Sequence, residues 1–144
     1  MATFFDNMLR FSYSKDLHEH LKGFDLICED YTLPPTYSYI TIIILVLVPI
    51  VMINYYYGIF NRPKLSSFLT WMLNILFCGV VVFIASMIRS TGDLNSKNYC
   101  QNLRFSSTDC MLFGFTAATY AILLSILISL FIKWWSLCNK KIPF

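Results

Sequence analysis

Three long apolar runs, separated by polar segments, dominate this chain of 144 residues. They cover residues 37–60, 65–88 and 111–132, and none of them contains a Lys, Arg, Asp or Glu. About 20 apolar residues cross a hydrocarbon core as an α-helix, because each residue adds 1.5 Å. The alternation typical of a membrane β-strand is missing from all three runs. The pattern predicts an all-α integral membrane protein with three transmembrane helices.

The N-terminal segment, residues 1–36, has a different pattern. Apolar side chains recur every fourth residue, at Phe5, Leu9, Tyr13, Leu17 and Leu21. This spacing predicts an amphipathic helix over residues 5–21, with Gly23 as its stop. Its polar face holds as many acids as bases, which favours docking against protein over attraction to lipid. Pro34 and Pro35 should separate this helix from the first span.

Two loops join the predicted spans. The first is short and contains Asn61 and Pro63, so the first two spans should form an antiparallel hairpin. The second, residues 89–110, is polar, and Thr108 or Asp109 is the predicted N-cap of the third span. Aromatic residues near the ends of the spans, such as Tyr39, are expected to lie at the membrane interface.

Charge differs between the two ends of the predicted bundle. The first loop and the tail, residues 133–144, carry five bases and no acid. The N-terminal segment and the second loop carry all eight acids and the other six bases, so the two sides have net charges of +5 and −2, which give the total of +3. Because positive loops stay on the inner side, the C-terminus is predicted inside, in a bacterial inner membrane or an organellar membrane.

The third span carries a pattern of small residues on one face. Two neighbouring rows recur every fourth residue: Ala117, Ala121, Ser125 and Ser129, beside Gly114 and Ala118. Small side chains let a second helix approach closely, which stabilises helix pairs in lipid. The pattern predicts a helix-packing interface, either inside one bundle or between subunits.

Few other side chains in the spans are candidates for a specific role. Asn74 lies inside the second span, where its amide is expected to form a hydrogen bond to another helix.

Two histidines lie in the N-terminal segment. His18 and His20 are two residues apart and should point to opposite sides of a helix, so they are expected to be surface residues rather than ligands of one metal.

The chain contains five cysteines, and two of them lie in the polar second loop. Cys100 and Cys110 are the first choice for a disulfide in an oxidising compartment, where Cys28 is expected as well. The alternative is that all five thiols stay reduced, because spacing alone does not establish disulfide geometry.

The residues do not suggest an enzyme. No phosphate-binding loop, metal-ligand spacing or nucleophile motif is present, so no catalytic residue, cofactor or metal is predicted, and bound lipids are expected instead. The favoured hypothesis is a non-enzymatic subunit of a larger membrane assembly, in contact with lipids and with other subunits or copies of itself, and without nucleic acid. One alternative is a homo-oligomeric channel or membrane-perturbing effector lined by Thr119, Ser125 and Ser129. Another is an inhibitor or immunity-type protein that binds a second membrane protein.

Overall fold

The computed structural model describes residues 13–57 and 67–132. These residues form four helices and no strand: α1 (Lys15–Leu21), α2 (Thr36–Tyr57), α3 (Phe68–Asn95) and α4 (Ser107–Ile132). The three long helices have mean hydropathies of 2.4, 2.3 and 2.2, and each is long enough to cross a bilayer. The predicted all-α architecture with three candidate membrane spans is therefore confirmed.

The predicted amphipathic helix covered residues 5–21, of which residues 5–12 lie outside the described ranges. The prediction was wrong for Tyr13 and Ser14, which are described but are not helical, because helix α1 begins only at Lys15. Its N-terminus is capped by Ser14, whose side chain accepts a hydrogen bond from the Leu17 amide. The chain leaves the helix at Gly23, where φ is +96° and a Cβ would lie 2.1 Å from the Leu33 carbonyl oxygen. Only glycine fits this turn, which is the predicted end of the helix.

Helix α2 follows the Pro34–Pro35 pair and is helical from Thr36 to Tyr57. Pro49 lies inside it without ending it. The predicted loop with Asn61 and Pro63 lies outside the described residues, and so does the predicted tail, 133–144.

Helix α3 is longer at its C-terminal end than the predicted span, which stopped at residue 88. It continues through Arg89 and Gly92 to Asn95. Ser90 and Thr91 donate hydrogen bonds to the carbonyls one turn earlier, at 2.8 and 2.5 Å. These polar side chains are satisfied by their own helix, so they do not end it.

Helix α4 begins four residues earlier than the predicted third span. Its first turn is closed by Ser106 and Asp109: the Asp109 carboxylate accepts from the Ser106 amide at 2.9 Å, and the Asp109 amide donates to the Ser106 hydroxyl at 3.4 Å. This is a capping box. The prediction that Thr108 or Asp109 is the N-cap was wrong, because Asp109 is the helical partner in the box rather than the cap.

The three long helices form one bundle. Helices α3 and α4 share the most extensive contact, and α2 packs against both. The side chains at the centre include Val48, Met52, Val82, Phe113 and Ala121, all fully buried. Most other span residues face outward and are apolar, for example Ile50, Leu76 and Leu127. Such a surface suits lipid rather than water.

Candidate functional site

One end of the bundle is covered by ordered polar structure. We call this the polar cap and define it as residues 13–35 and 96–106. It lies where α2 and α4 begin and α3 ends. The Arg104 amide donates to the Asp16 carboxylate at 3.0 Å, which joins the second loop to α1. The cap is therefore held together by contacts between segments that are distant in the sequence.

A disulfide between Cys28 and Cys100 makes the strongest of these connections, with Cα atoms 5.4 Å apart. The predicted pair Cys100–Cys110 was wrong, since Cys110 is a free and fully buried thiol. Cys110 lies in the first turn of α4 and points into the bundle, whereas Cys100 lies in the loop that faces residues 23–33. Folding thus brings Cys100 to a partner 72 residues away rather than to its neighbour in sequence.

His18 joins α1 to the bundle. Its Nδ1 lies 2.7 Å from the Tyr37 hydroxyl, which also hydrogen-bonds the Tyr13 hydroxyl. The rings of Tyr13 and Tyr37 both pack edge-on against Phe113 of α4. His18 is 5% exposed, so the expectation of a surface residue was wrong.

His20 is also 5% exposed and points to the other side of α1. Its ring stacks on Phe105 at 5.3 Å, and its Nε2 lies 3.4 Å from the Asp93 carboxylate of α3. Arg89 makes an ion pair with the same carboxylate oxygen at 3.9 Å. The other ring nitrogen of His20, Nδ1, is buried without a hydrogen-bond partner in the described residues. Both histidines are buried because α1 contacts Tyr37 of α2 on one side and Phe105 and Asp93 on the other, and a local pattern does not reveal these partners.

Burial lowers the pKa of His20 from its usual value of 6.5, and the Asp93 carboxylate only partly opposes this. The unfolded chain thus binds a proton at a higher pH than the folded chain. The free energy of unfolding should fall as the pH drops from about 6.5 towards the lower folded-state pKa.

This pH dependence can be measured by chemical unfolding of the full chain in detergent between about pH 5 and pH 7.5. The variant His20→Phe keeps an aromatic ring on Phe105 but cannot bind a proton. Its stability should change less over this range than that of the wild type. Equal slopes for the two proteins would contradict the assignment.

The small residues of α4 are brought together on its inner face. Gly114, Ala117, Ala121, Ser125 and Ser129 are buried, and Ala118 is half-buried. A Cβ at Gly114 would lie 3.0 Å from the Phe83 ring of α3, and one at Gly79 of α3 would lie 3.1 Å from Ile122. The partner of this face is therefore α3 of the same chain, where two glycines on facing helices admit large side chains.

A polar cluster joins the three spans at the end opposite the cap. The Ser129 hydroxyl accepts a hydrogen bond from the Trp71 indole N–H at 2.9 Å and lies 2.5 Å from the Tyr56 hydroxyl. The three residues come from α4, α3 and α2, and all are buried. Their hydrogen bonds satisfy polar groups that would be costly to leave unpaired in lipid. The small-residue pattern included Ser129, but no local signal pointed to its two partners.

Asn74 does not make the expected contact with another helix among the described residues. Its side-chain amide donates to the Thr70 carbonyl of its own helix at 2.8 Å. A backbone carbonyl one turn away is the nearest acceptor for a half-buried amide, and this bond needs no second helix. The intramembrane polar contact predicted for Asn74 is therefore local.

A short loop at the edge of the cap exposes apolar side chains. We call residues 23–33 the acidic loop, because it holds three acids and no Lys or Arg. Its ends meet through a hydrogen bond from the Leu33 amide to the Gly23 carbonyl at 3.0 Å. The disulfide at Cys28 holds its middle, yet Leu26, Ile27 and Tyr31 are 47%, 72% and 55% exposed.

Metal-ligating side chains are not clustered in the described part of the chain. This part contains no group of three or more His, Cys, Asp or Glu side chains that could hold a metal ion. No protein-family model, curated protein or solved structure matches the chain. Outside the three long helices, the exposed large apolar side chains of the described residues lie in the acidic loop.

Proposed function

We propose that this chain is a non-enzymatic subunit of a larger membrane protein assembly, and that it contacts its partner through the acidic loop. The observation that carries this proposal is the exposure of Leu26, Ile27 and Tyr31 on an ordered loop outside the spans. Exposed apolar side chains grouped on a polar surface are typical of protein interfaces. The disulfide and the closing hydrogen bond hold the loop in one conformation, which lowers the entropy lost on binding.

The charge of the acidic loop indicates the kind of partner. Asp25, Glu29 and Asp30 lie in the same loop as the exposed apolar side chains, and the loop contains no Lys or Arg to neutralise them. A protein surface with an apolar pocket and a basic rim would complement this arrangement. An anionic bilayer surface would repel it, so we favour a protein partner over lipid.

The alternative of a homo-oligomeric channel has less support. Ser125 and Ser129, two of the three residues expected to line a pore, are fully buried inside the bundle. Ser125 donates to the Ala121 carbonyl of its own helix at 2.7 Å, and Thr119, on the outer face, donates to the Phe115 carbonyl at 2.9 Å. The three hydroxyls thus do not share one face. An inhibitor or immunity-type protein would use the same acidic loop and would differ only in its partner.

We further propose that the polar cap lies on the outer or lumenal side and the C-terminus on the inner side. Two independent observations support this orientation. The cap side carries a net charge of −2 against +5 for the other side, and the cap contains the disulfide between Cys28 and Cys100. Disulfides persist in oxidising compartments. Alkylation in intact cells tests this proposal, because a reducing compartment would leave both cysteines as free thiols.

The partner proposal is tested by replacing Ile27, the most exposed apolar residue of the acidic loop, by serine. The full chain is extracted gently from its native membrane and studied by native mass spectrometry. We expect a partner protein at fixed stoichiometry with the wild type, and an affinity lower by a factor of about 10 to 100 with Ile27→Ser, since burial of such a side chain contributes about 1.5–3 kcal/mol.

Thr32→Ala is the matched control, because Thr32 is exposed on the same loop and is not apolar. This variant should retain the partner. Retention of the same partner by Ile27→Ser with unchanged affinity would contradict the proposal, and so would a wild-type chain that is isolated alone or as a ring of identical copies.

A further inference from the structure

A groove runs along the outer wall of the bundle between the first turn of α2 and the last turns of α3. It has a volume of about 600 Å³. Its lower part is lined by Ala85 and Ile88, and its upper part by Arg89, Asp93 and Asn98. The groove is therefore apolar at the end towards the membrane centre and charged at the other end.

The length of α3 places this change of polarity at the membrane interface. The helix has 28 residues and a length of about 42 Å at 1.5 Å per residue, whereas the hydrocarbon core is about 30 Å thick. Arg89 is the first charged residue of α3, so the two turns that follow it are the part that extends beyond the core. Tyr39 forms the opposite wall at the start of α2, where an aromatic side chain suits the headgroup region.

The two charged residues of the groove have opposite signs and lie side by side. The Arg89 Nε is 3.9 Å from the Asp93 Oδ2, and the Arg89 side chain is 48% exposed. This ion pair uses the Arg89 Nε, so the two terminal amino groups of the half-exposed side chain can donate to a ligand. The Asp93 carboxylate also lies 3.4 Å from the buried His20 Nε2, and its side chain is 16% exposed. The groove therefore presents a cation and an anion side by side.

Gly92 leaves the groove open beside these charges. A Cβ at this position would have no other atom within 4 Å. The residue lies in the wall of the groove, one position before Asp93 and three after Arg89. A bulky group from outside the chain can thus approach both charges.

From this arrangement we propose that the groove binds the headgroup of a zwitterionic phospholipid. The phosphate would accept hydrogen bonds from the Arg89 guanidinium, and the amine would donate to the Asp93 carboxylate. An acyl chain would continue along Ala85 and Ile88 into the bilayer. An anionic headgroup such as phosphatidylglycerol could also pair its phosphate with Arg89, but only a neutral hydroxyl could then donate to Asp93, and that hydrogen bond is weaker than one from an ammonium group.

The test uses the purified full chain, freed of lipid and mixed in detergent with either phosphatidylethanolamine or phosphatidylglycerol. Native mass spectrometry then counts the retained lipid molecules. We expect the wild type to retain phosphatidylethanolamine about tenfold more tightly than phosphatidylglycerol, because only the former has a cationic group that pairs with Asp93.

Gly92→Leu should fill the groove and abolish this preference without a clash inside the chain. Leucine also favours helix more than glycine does, so the fold should be preserved. Asn95→Leu is the matched control, because it adds the same side chain at an exposed position of α3 outside the groove lining. Asp93→Asn should shift the preference towards phosphatidylglycerol, with circular dichroism as the check on folding.

Equal retention of the two lipids by the wild type would overturn the proposal. An unchanged preference in Gly92→Leu would do so as well. Glycerophosphoethanolamine, a soluble headgroup without acyl chains, should compete poorly. If glycerophosphoethanolamine competed at the same concentration as the lipid, the proposal that the ligand is a membrane lipid would be overturned. The ligand would then be a soluble molecule with the same headgroup chemistry.

Discussion

Replacing Cys100 by serine should lower the free energy of unfolding by up to about 4 kcal/mol, because it removes a disulfide that closes a loop of 72 residues. The chain-entropy model gives this value for a free chain, and spans that remain inserted in the membrane restrict the unfolded state and reduce it. Thermal unfolding of the oxidised full chain in detergent, followed by circular dichroism, measures the loss. We expect the cap to become the least stable part of the protein.

Cys110→Ser is the matched control for this prediction. It removes a buried free thiol without breaking the disulfide, so its effect should be much smaller. Alkylation of intact cells, followed by denaturation and peptide mass analysis, should find Cys28 linked to Cys100 and Cys110 as a free thiol. A peptide that links Cys100 to Cys110 would contradict both the pairing and the arrangement of the cap.

Replacing Ala121 by leucine should destabilise the bundle by about 1–3 kcal/mol, because the core around α4 is closely packed and must shift to make room for the larger side chain. Ala121 is fully buried, and the small-residue face of α4 packs on α3 of the same chain. The variant should still insert into the membrane, since its hydrophobicity increases. A lower melting temperature and faster proteolysis of the purified chain are the expected signs.

Thr119→Leu is the control, because Thr119 lies on the same helix but is exposed on its outer face. Its stability should be close to that of the wild type. If Ala121→Leu instead kept its stability and lost only a partner or its oligomeric state, the small-residue face would be an interface between chains. This outcome would restore the alternative that the sequence pattern left open.

The loops of this protein show where prediction from local pattern fails. The expected pair Cys100–Cys110 was the choice by proximity in sequence, but Cys110 is a buried free thiol in the first turn of α4, and Cys100 is bonded to Cys28. The polar residues after Ile88 were expected to form a loop, yet α3 continues to Asn95 because their side chains bond within the helix. In both cases the structure depends on contacts in three dimensions, which the spacing of residues along the sequence does not specify.

The number and position of the spans follow from the amino-acid sequence alone. Uncharged runs of 22 to 24 residues must satisfy their own backbone hydrogen bonds in lipid, and only helices do so within each run. The small-residue face of α4 was also evident in the sequence, because its period of four is local to one helix.

Which residues and helices contact each other is known only from the tertiary structure. It assigned the small-residue face to α3, paired Cys28 with Cys100, buried His18 and His20 on opposite sides of α1, and joined Ser129 to Trp71 and Tyr56. Each of these contacts connects residues that are far apart along the chain. A hydrophobic pattern specifies which face of a helix avoids water, but the choice of partner depends on shape and hydrogen bonding across the assembled bundle.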